Sequence, residues 1–66
     1  MGPWIAIIYL CGNNGEAMQV SDDPDGQFAT RFNSVEDIER LKTQHLTHAF
    51  PWIAVNVETG DTEYLI

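Results

Sequence analysis

Apolar residues in this chain follow two spacings: runs that suit extended strands, and one stretch, residues 32–48, that suits a helix. Val35, Ile38 and Leu41 recur three apart and His45 and Leu46 continue the stripe, which is the spacing of one buried helical face. Ser34 stands at the N-cap position with Asp37 three residues on, a capping-box-like pair in which a short acid replaces the usual Glu or Gln. Glu36, Asp37 and Glu39 precede Arg40 and Lys42, so the charges complement the helix dipole, and Glu36 can reach Arg40 at i,i+4. Pro51 disfavours helical geometry at Phe50, so residues 47–50 are the expected exit. A helix this short is marginal alone and has to lean on a sheet.

Residues 4–11 (WIAIIYLC) form an unbroken apolar run rich in β-branched and aromatic residues, which predicts an interior strand ended by the turn Gly12-Asn13-Asn14-Gly15. Residues 16–21 predict a weaker strand. Asp22-Asp23-Pro24-Asp25-Gly26 carries turn chemistry in which Pro presets the first turn residue and Gly supplies positive φ. A hairpin into residues 27–32 is expected, with Phe28, Thr30 and Phe32 alternating with Ala29 and Arg31. After the helix, residues 52–57 and 62–66 predict two more strands joined by the turn Glu58-Thr59-Gly60-Asp61. The expected fold is one α+β domain over residues 1–66: an antiparallel-rich sheet of about five strands, in the order β-β-β-α-β-β, with the helix on one face. A right-handed crossover would set residues 52–57 beside the first strand; the place of the last strand is left open.

Pro3-Trp4-Ile5-Ala6 recurs as Pro51-Trp52-Ile53-Ala54. Proline is tolerated at a strand start and Trp-Ile is good strand material, so convergence on one packing solution accounts for the match without duplication. Equivalent positions are expected to face the same way. Alternation sets Ile5, Ile7, Tyr9, Ile53, Val55 and Val57 on one side, and Trp4, Ala6, Ile8, Leu10, Trp52, Ala54 and Asn56 on the other. One helix can cover only one of these faces. Taking the β-branched set as the floor under the helix leaves Trp4, Ile8, Leu10 and Trp52 as an uncovered apolar face, hence a protein interface. The alternative is the inverted assignment, or loops folded over that face.

Composition changes the picture in two ways. Ten acidic against three basic residues give a net charge of −7, which repels phosphate backbones and anionic lipid, so direct nucleic-acid or membrane binding is not expected. With 66 residues and a single cysteine, the chain has neither an internal disulfide nor a Cys/His set of structural-zinc spacing to support a small core. Self-association or a bound partner remains as support. The start lacks a basic region and its apolar run is too short for a signal or spanning helix, so a cytoplasmic protein is expected.

Candidate chemistry is thin. Aligning Gly26 with the invariant glycine of a calcium loop puts Ser21 at the first ligand position and Phe32 where a bidentate Glu is required, so a surface turn is the better reading. His45 and His48, three apart, lack a third ligand at fixed spacing; His45 completes the apolar stripe and His48 suits a helix C-terminus. Cys11 ends a strand in apolar company with no adjacent cation to activate it. No catalytic, cofactor or metal residue is assigned.

A D-P-D-G hairpin (residues 23–26), then Phe32, Ser34, Glu36 and Ile38 as F-x-S-x-E-x-I opening the helix, then a closing T-G-D turn (residues 59–61) running into TEYLI, resembles the layout of small uncharacterised proteins encoded by tailed phages and prophages. That resemblance implies a stand-alone protein in the cytoplasm of an infected bacterium. It also implies binding and blocking of a host protein, such as a component of a CRISPR or other defence system or of transcription. The first functional expectation is accordingly a non-enzymatic, acidic protein-binding module, an inhibitor that engages a nucleic-acid-handling host protein through Asp22, Asp23, Asp25, Glu36 and Glu39, the tryptophan-bearing face, or both. The charge by itself is equally accounted for by solubility. A second expectation is a structural homodimer or oligomerising domain, through the uncovered face or the final strand. The third is a small metal protein or enzyme using Cys11, His45 or His48.

Overall fold

The computed structural model describes residues 2–10 and 15–65. They form strands β1 (Trp4–Leu10) and β2 (Glu16–Gln19), helix α1 (Val35–Gln44), and strands β3 (Trp52–Asn56) and β4 (Thr62–Leu65). One antiparallel sheet takes the order β2-β1-β3-β4, so the fold is α+β with a single helix. β3 lies beside β1, antiparallel to it, and β4 takes the edge. Cys11 and the turn residues 12–14 lie outside the described residues.

The expected strand over residues 27–32 does not form, and the sheet has four strands rather than five. Phe32 forms an isolated bridge with Trp4 whose two backbone bonds are 3.1 and 2.8 Å, and a single backbone bond, from the Thr30 amide to the Val20 carbonyl at 2.9 Å, joins the segment to the end of β2. Side chains intercept the ladder on the way there. The Ser21 hydroxyl donates to the Phe28 carbonyl, and the Thr30 hydroxyl accepts from the Asp22 amide, so groups a hairpin would have used are already engaged. In the turn itself the Asp23 carboxylate accepts from the Asp25 and Gln27 amides, and Gly26 takes φ 67°.

The Ser34 hydroxyl caps α1 by accepting from the Asp37 amide, as the sequence predicts. Arg40, however, pairs with Asp37 rather than Glu36. The helix also stops early. His45 adopts extended backbone and its Nδ1 accepts from the Thr47 amide, a local bond that competes with another helical turn. Beyond that stop Leu46 swings away from the stripe and is 98% exposed.

α1 covers the opposite sheet face from the one expected. The core joins Ile38 of the helix to Ala6, Ile8, Trp52, Ala54 and Leu65, with Trp4, Leu10, Phe32, Val35 and Leu41 packed against it. Ile8 and Trp52 are fully buried. The assignment of Trp4, Ile8, Leu10 and Trp52 to a free interface is therefore corrected: they stand beneath the helix. Shape decides this. Ala6 and Ala54 are direct partners across β1 and β3, and two methyl groups side by side leave a shallow floor. Ile38 can enter that floor, while the β-branched face has no such depression.

The N-terminal segment is held against the start of the helix. Gly2 is buried, its carbonyl accepts from Arg31 Nε at 2.9 Å, and a Cβ there would lie 1.9 Å from the Phe32 carbonyl oxygen. Gly2→Ala should therefore part the Trp4–Phe32 bridge and cost about 2 kcal/mol, as overpacking against backbone does. A lowered urea midpoint checks this; an unchanged midpoint would mean that the segment moves aside freely.

Candidate protein interface

With α1 on one side, the other side of the sheet has no element over it among the described residues. Register places three rows of side chains there. Gln19, Ile7, Ile53 and Tyr64 make the middle row, Ala17 and Tyr9 lie at one end, and Ile5, Val55 and Thr62 at the other. Ile53 is 6% exposed yet stands outside the core cluster, since Ile7 and Tyr64 flank it on the open side. At the edges the tyrosines protrude, with Tyr64 71% and Tyr9 41% exposed. A cleft of about 390 Å³ lined by Ile5, Phe28, Ala29, Arg31 and Val57 extends the apolar surface at one corner.

None of the residues in these rows is charged. The strand carboxylates Glu16 and Glu63 share a face with Leu10 and Ala54, toward the helix side, and the rest sit on α1 or in turns. Arg31, in the wall of the corner cleft, is tied to the Gly2 carbonyl. An antiparallel sheet facing water ordinarily presents polar side chains outward, so an uncharged outer face is a departure with a physical meaning.

Charge concentrates elsewhere. Asp22, Asp25, Glu36 and Glu39 are exposed, whereas Asp23 is half-buried and its two oxygens are occupied by turn amides. All three cations are held by oxygens of this chain: Arg31 by Gly2, Arg40 by Asp37, and Lys42 by the His48 carbonyl at 2.7 Å. Among the described residues, Asp37–Arg40 is the one ion pair. Most of the negative charge is thus uncompensated.

The histidines do not converge. His45 packs edge-on against Trp52, ring centroids 5.2 Å apart, and its Nδ1 is 2.9 Å from the Thr47 hydroxyl, while His48 is exposed. No three His, Cys, Asp or Glu side chains gather at metal-binding distance among the described residues. A cleft of about 450 Å³ does lie between β2, the aspartate turn and the end of α1, with Met18, Val20, Pro24, Leu41 and His45 in its walls. Sequence reasoning missed two positions with structural roles: Gly2, and Asn56, whose side-chain oxygen accepts from the Glu58 and Thr59 amides and organises the last turn.

The fold and the surface define a class: a small α+β domain with one sheet face under a helix and the other open and uncharged. No family model, curated protein or solved structure matches the chain. Among the described residues, no helix is long and apolar enough to cross a membrane.

Proposed function

We propose that this chain is a non-enzymatic, acidic protein-binding module that occupies a basic, nucleic-acid-handling protein of a bacterial host, as an inhibitor would. The observation that carries the reading is the uncompensated charge. Three cations face ten carboxylates, and Asp37–Arg40 is the one ion pair among the described residues, while Asp22 and Asp25 in one turn and Glu36 and Glu39 on α1 are exposed. A surface of that kind steers toward positive potential, and a protein that handles nucleic acid supplies it. The resemblance in layout to small tailed-phage proteins supplies the setting, a CRISPR or other defence component being one such target.

The test is affinity capture from bacterial lysate with the intact chain as bait. Basic proteins should be retained at about 0.05 M salt and largely released at about 0.5 M, since such attraction is screened within a Debye length. Neutralising Asp22, Asp25, Glu36 and Glu39 to their amides should cut retention several-fold, mainly through slower association. Capture of nothing above background at either salt concentration removes the reading.

A further inference from the structure

The sheet ends at β4, and neighbouring bonds fix which backbone groups of that strand point away from it. The Tyr9 amide donates to the Pro51 carbonyl and the Val57 amide to the Pro3 carbonyl, so the odd-numbered residues of β3 bond to β1. Trp52, Ala54 and Asn56 therefore turn to β4 and meet Leu65, Glu63 and Asp61. The Asn56 amide does donate to the Asp61 carbonyl, at 2.8 Å. Thr62 and Tyr64 are left with amides and carbonyls directed outward, and no backbone bond reaches them among the described residues. The opposite edge is partly closed, since the Thr30 amide donates to the Val20 carbonyl and the Gln19 side chain to the Gly26 carbonyl.

We propose that the outer edge of β4 is a strand-docking site, on which an extended segment of a basic partner protein adds antiparallel with its lysines or arginines on the helix side; this rests on the acidic reading and specifies the partner's conformation. Open backbone groups select that conformation. Outward amides and carbonyls at strand spacing are met by another strand, and antiparallel pairing continues the pattern of this sheet.

Charge selects the sequence. Glu63 and Leu65 share the helix side of β4, being the partners of Ala54 and Trp52. Beyond them lies a cleft of about 350 Å³ between β4 and α1, lined by Glu39, Lys42, Thr43, Tyr64 and Leu65. Glu39 is exposed, and the Lys42 ammonium is drawn off to the His48 carbonyl. A lysine or arginine opposite Leu65 lays its aliphatic stem in that cleft with its charge toward Glu39, and one opposite Glu63 meets that carboxylate across the strands. Residues opposite Thr62 and Tyr64 fall on the open, uncharged side, so the fitting segment alternates basic and apolar. A second copy does not fit. Antiparallel pairing that engages both Thr62 and Tyr64 sets Glu63 against Glu63 in a close, non-hydrogen-bonded pair, where like charges destabilise.

The probe is a synthetic peptide of about eight residues alternating lysine and valine, added to the intact chain. Hydrogen exchange of the Thr62 and Tyr64 amides should slow about tenfold while that of the β2 amides is unchanged. Methylating the valine nitrogens removes the donors that face β4 and should abolish binding. Methylating the lysine nitrogens, which face away, should change affinity less than about twofold, although both peptides carry the same charge. Glu63→Lys, at an exposed position, should weaken the peptide about fivefold and admit a glutamate–valine peptide in its place. Asp22→Asn with Asp25→Asn alters net charge equally, but in the turn beside β2 at the far end of the sheet, and should change affinity less than about twofold. Unchanged exchange at Thr62 and Tyr64, or equal losses from the two methylated peptides, overturns the docked strand. Capture of basic lysate proteins by a chain whose β4 ignores the peptide keeps the acidic reading and removes the docked strand. Docking without capture supports the edge site and removes the host target alone.

Discussion

Replacing Trp52 with alanine should bring the chain to or near the threshold of unfolding at 25 °C, through a loss of about 3–5 kcal/mol. Trp52 is fully buried at the start of β3, opposite Ile8 on one side and Leu65 on the other, so it touches both inner strand pairs at once. Its Nε1 donates to the Thr47 carbonyl at 3.2 Å, and His45 meets the ring edge-on, so the indole also holds the link between α1 and β3. Truncating a buried Trp costs about 3–5 kcal/mol. A chain of 66 residues has, at roughly 0.05–0.15 kcal/mol per residue, a total stability of about 3–10 kcal/mol. The loss therefore takes from about a third to all of the stability available. Trp52→Phe keeps an aromatic ring but leaves the Thr47 carbonyl without its donor and part of the volume empty. It should fold with stability lowered by about 1–2 kcal/mol. Urea titration of both variants, followed by far-ultraviolet circular dichroism, is the measurement. A Trp52→Ala chain with a near-native midpoint would mean that the indole faces solvent, and would restore the face assignment that the sequence suggested.

That assignment failed for an identifiable reason. β-branching marks fit to a pleated, half-buried surface, not depth of burial. Ile5, Ile7, Ile53 and Val55 satisfy it on the open side, packed laterally along their rows. What decides the covered side is relief, and the repeated P-W-I-A carries that information. Each copy sets an alanine two residues after a tryptophan, and the antiparallel register brings Ala6 opposite Ala54 while sending Trp4 toward Asn56 and Trp52 toward Ile8. The equal facing of the two repeats was legible; that the alanines, rather than the branched residues, make room for a helix required knowing the register.

Local elements with chemical punctuation were legible for a related reason. Ser34 at the cap, Gly26 and Gly60 with positive φ, and Pro51 before β3 all act through bonds to residues close in sequence. The strand expected at residues 27–32 and the helical turn expected past Gln44 failed where side chains of Ser21, Thr30 and His45 captured backbone groups. Those captures depend on which partner comes close in the folded chain. Periodicity does not record them. The same limit applies to the surface: charge and apolar residues can be read along the chain, but their segregation to different sides follows from pairing β3 and β4 onto β1.

Ile38→Ala is the second substitution expected to be severe, costing about 2–5 kcal/mol. α1 has ten residues, too few to persist in water without packing, and Ile38 is its only fully buried side chain. Val35 and Leu41 flank the core half-exposed, so they cannot fill the space that a shortened residue 38 leaves above Ala6 and Ala54. The cavity term should therefore add to the lost transfer energy rather than relax away. Leu46→Ala, at a position 98% exposed, serves as the contrast and should change stability by less than about 0.5 kcal/mol. Hydrogen exchange separates local from global effects: in Ile38→Ala the amides of α1 should lose protection first, while β1 and β3, paired across five residue positions, keep theirs until the sheet itself opens. Simultaneous loss across helix and sheet would mean that the sheet does not hold without the helix, and that its open face alone cannot support it.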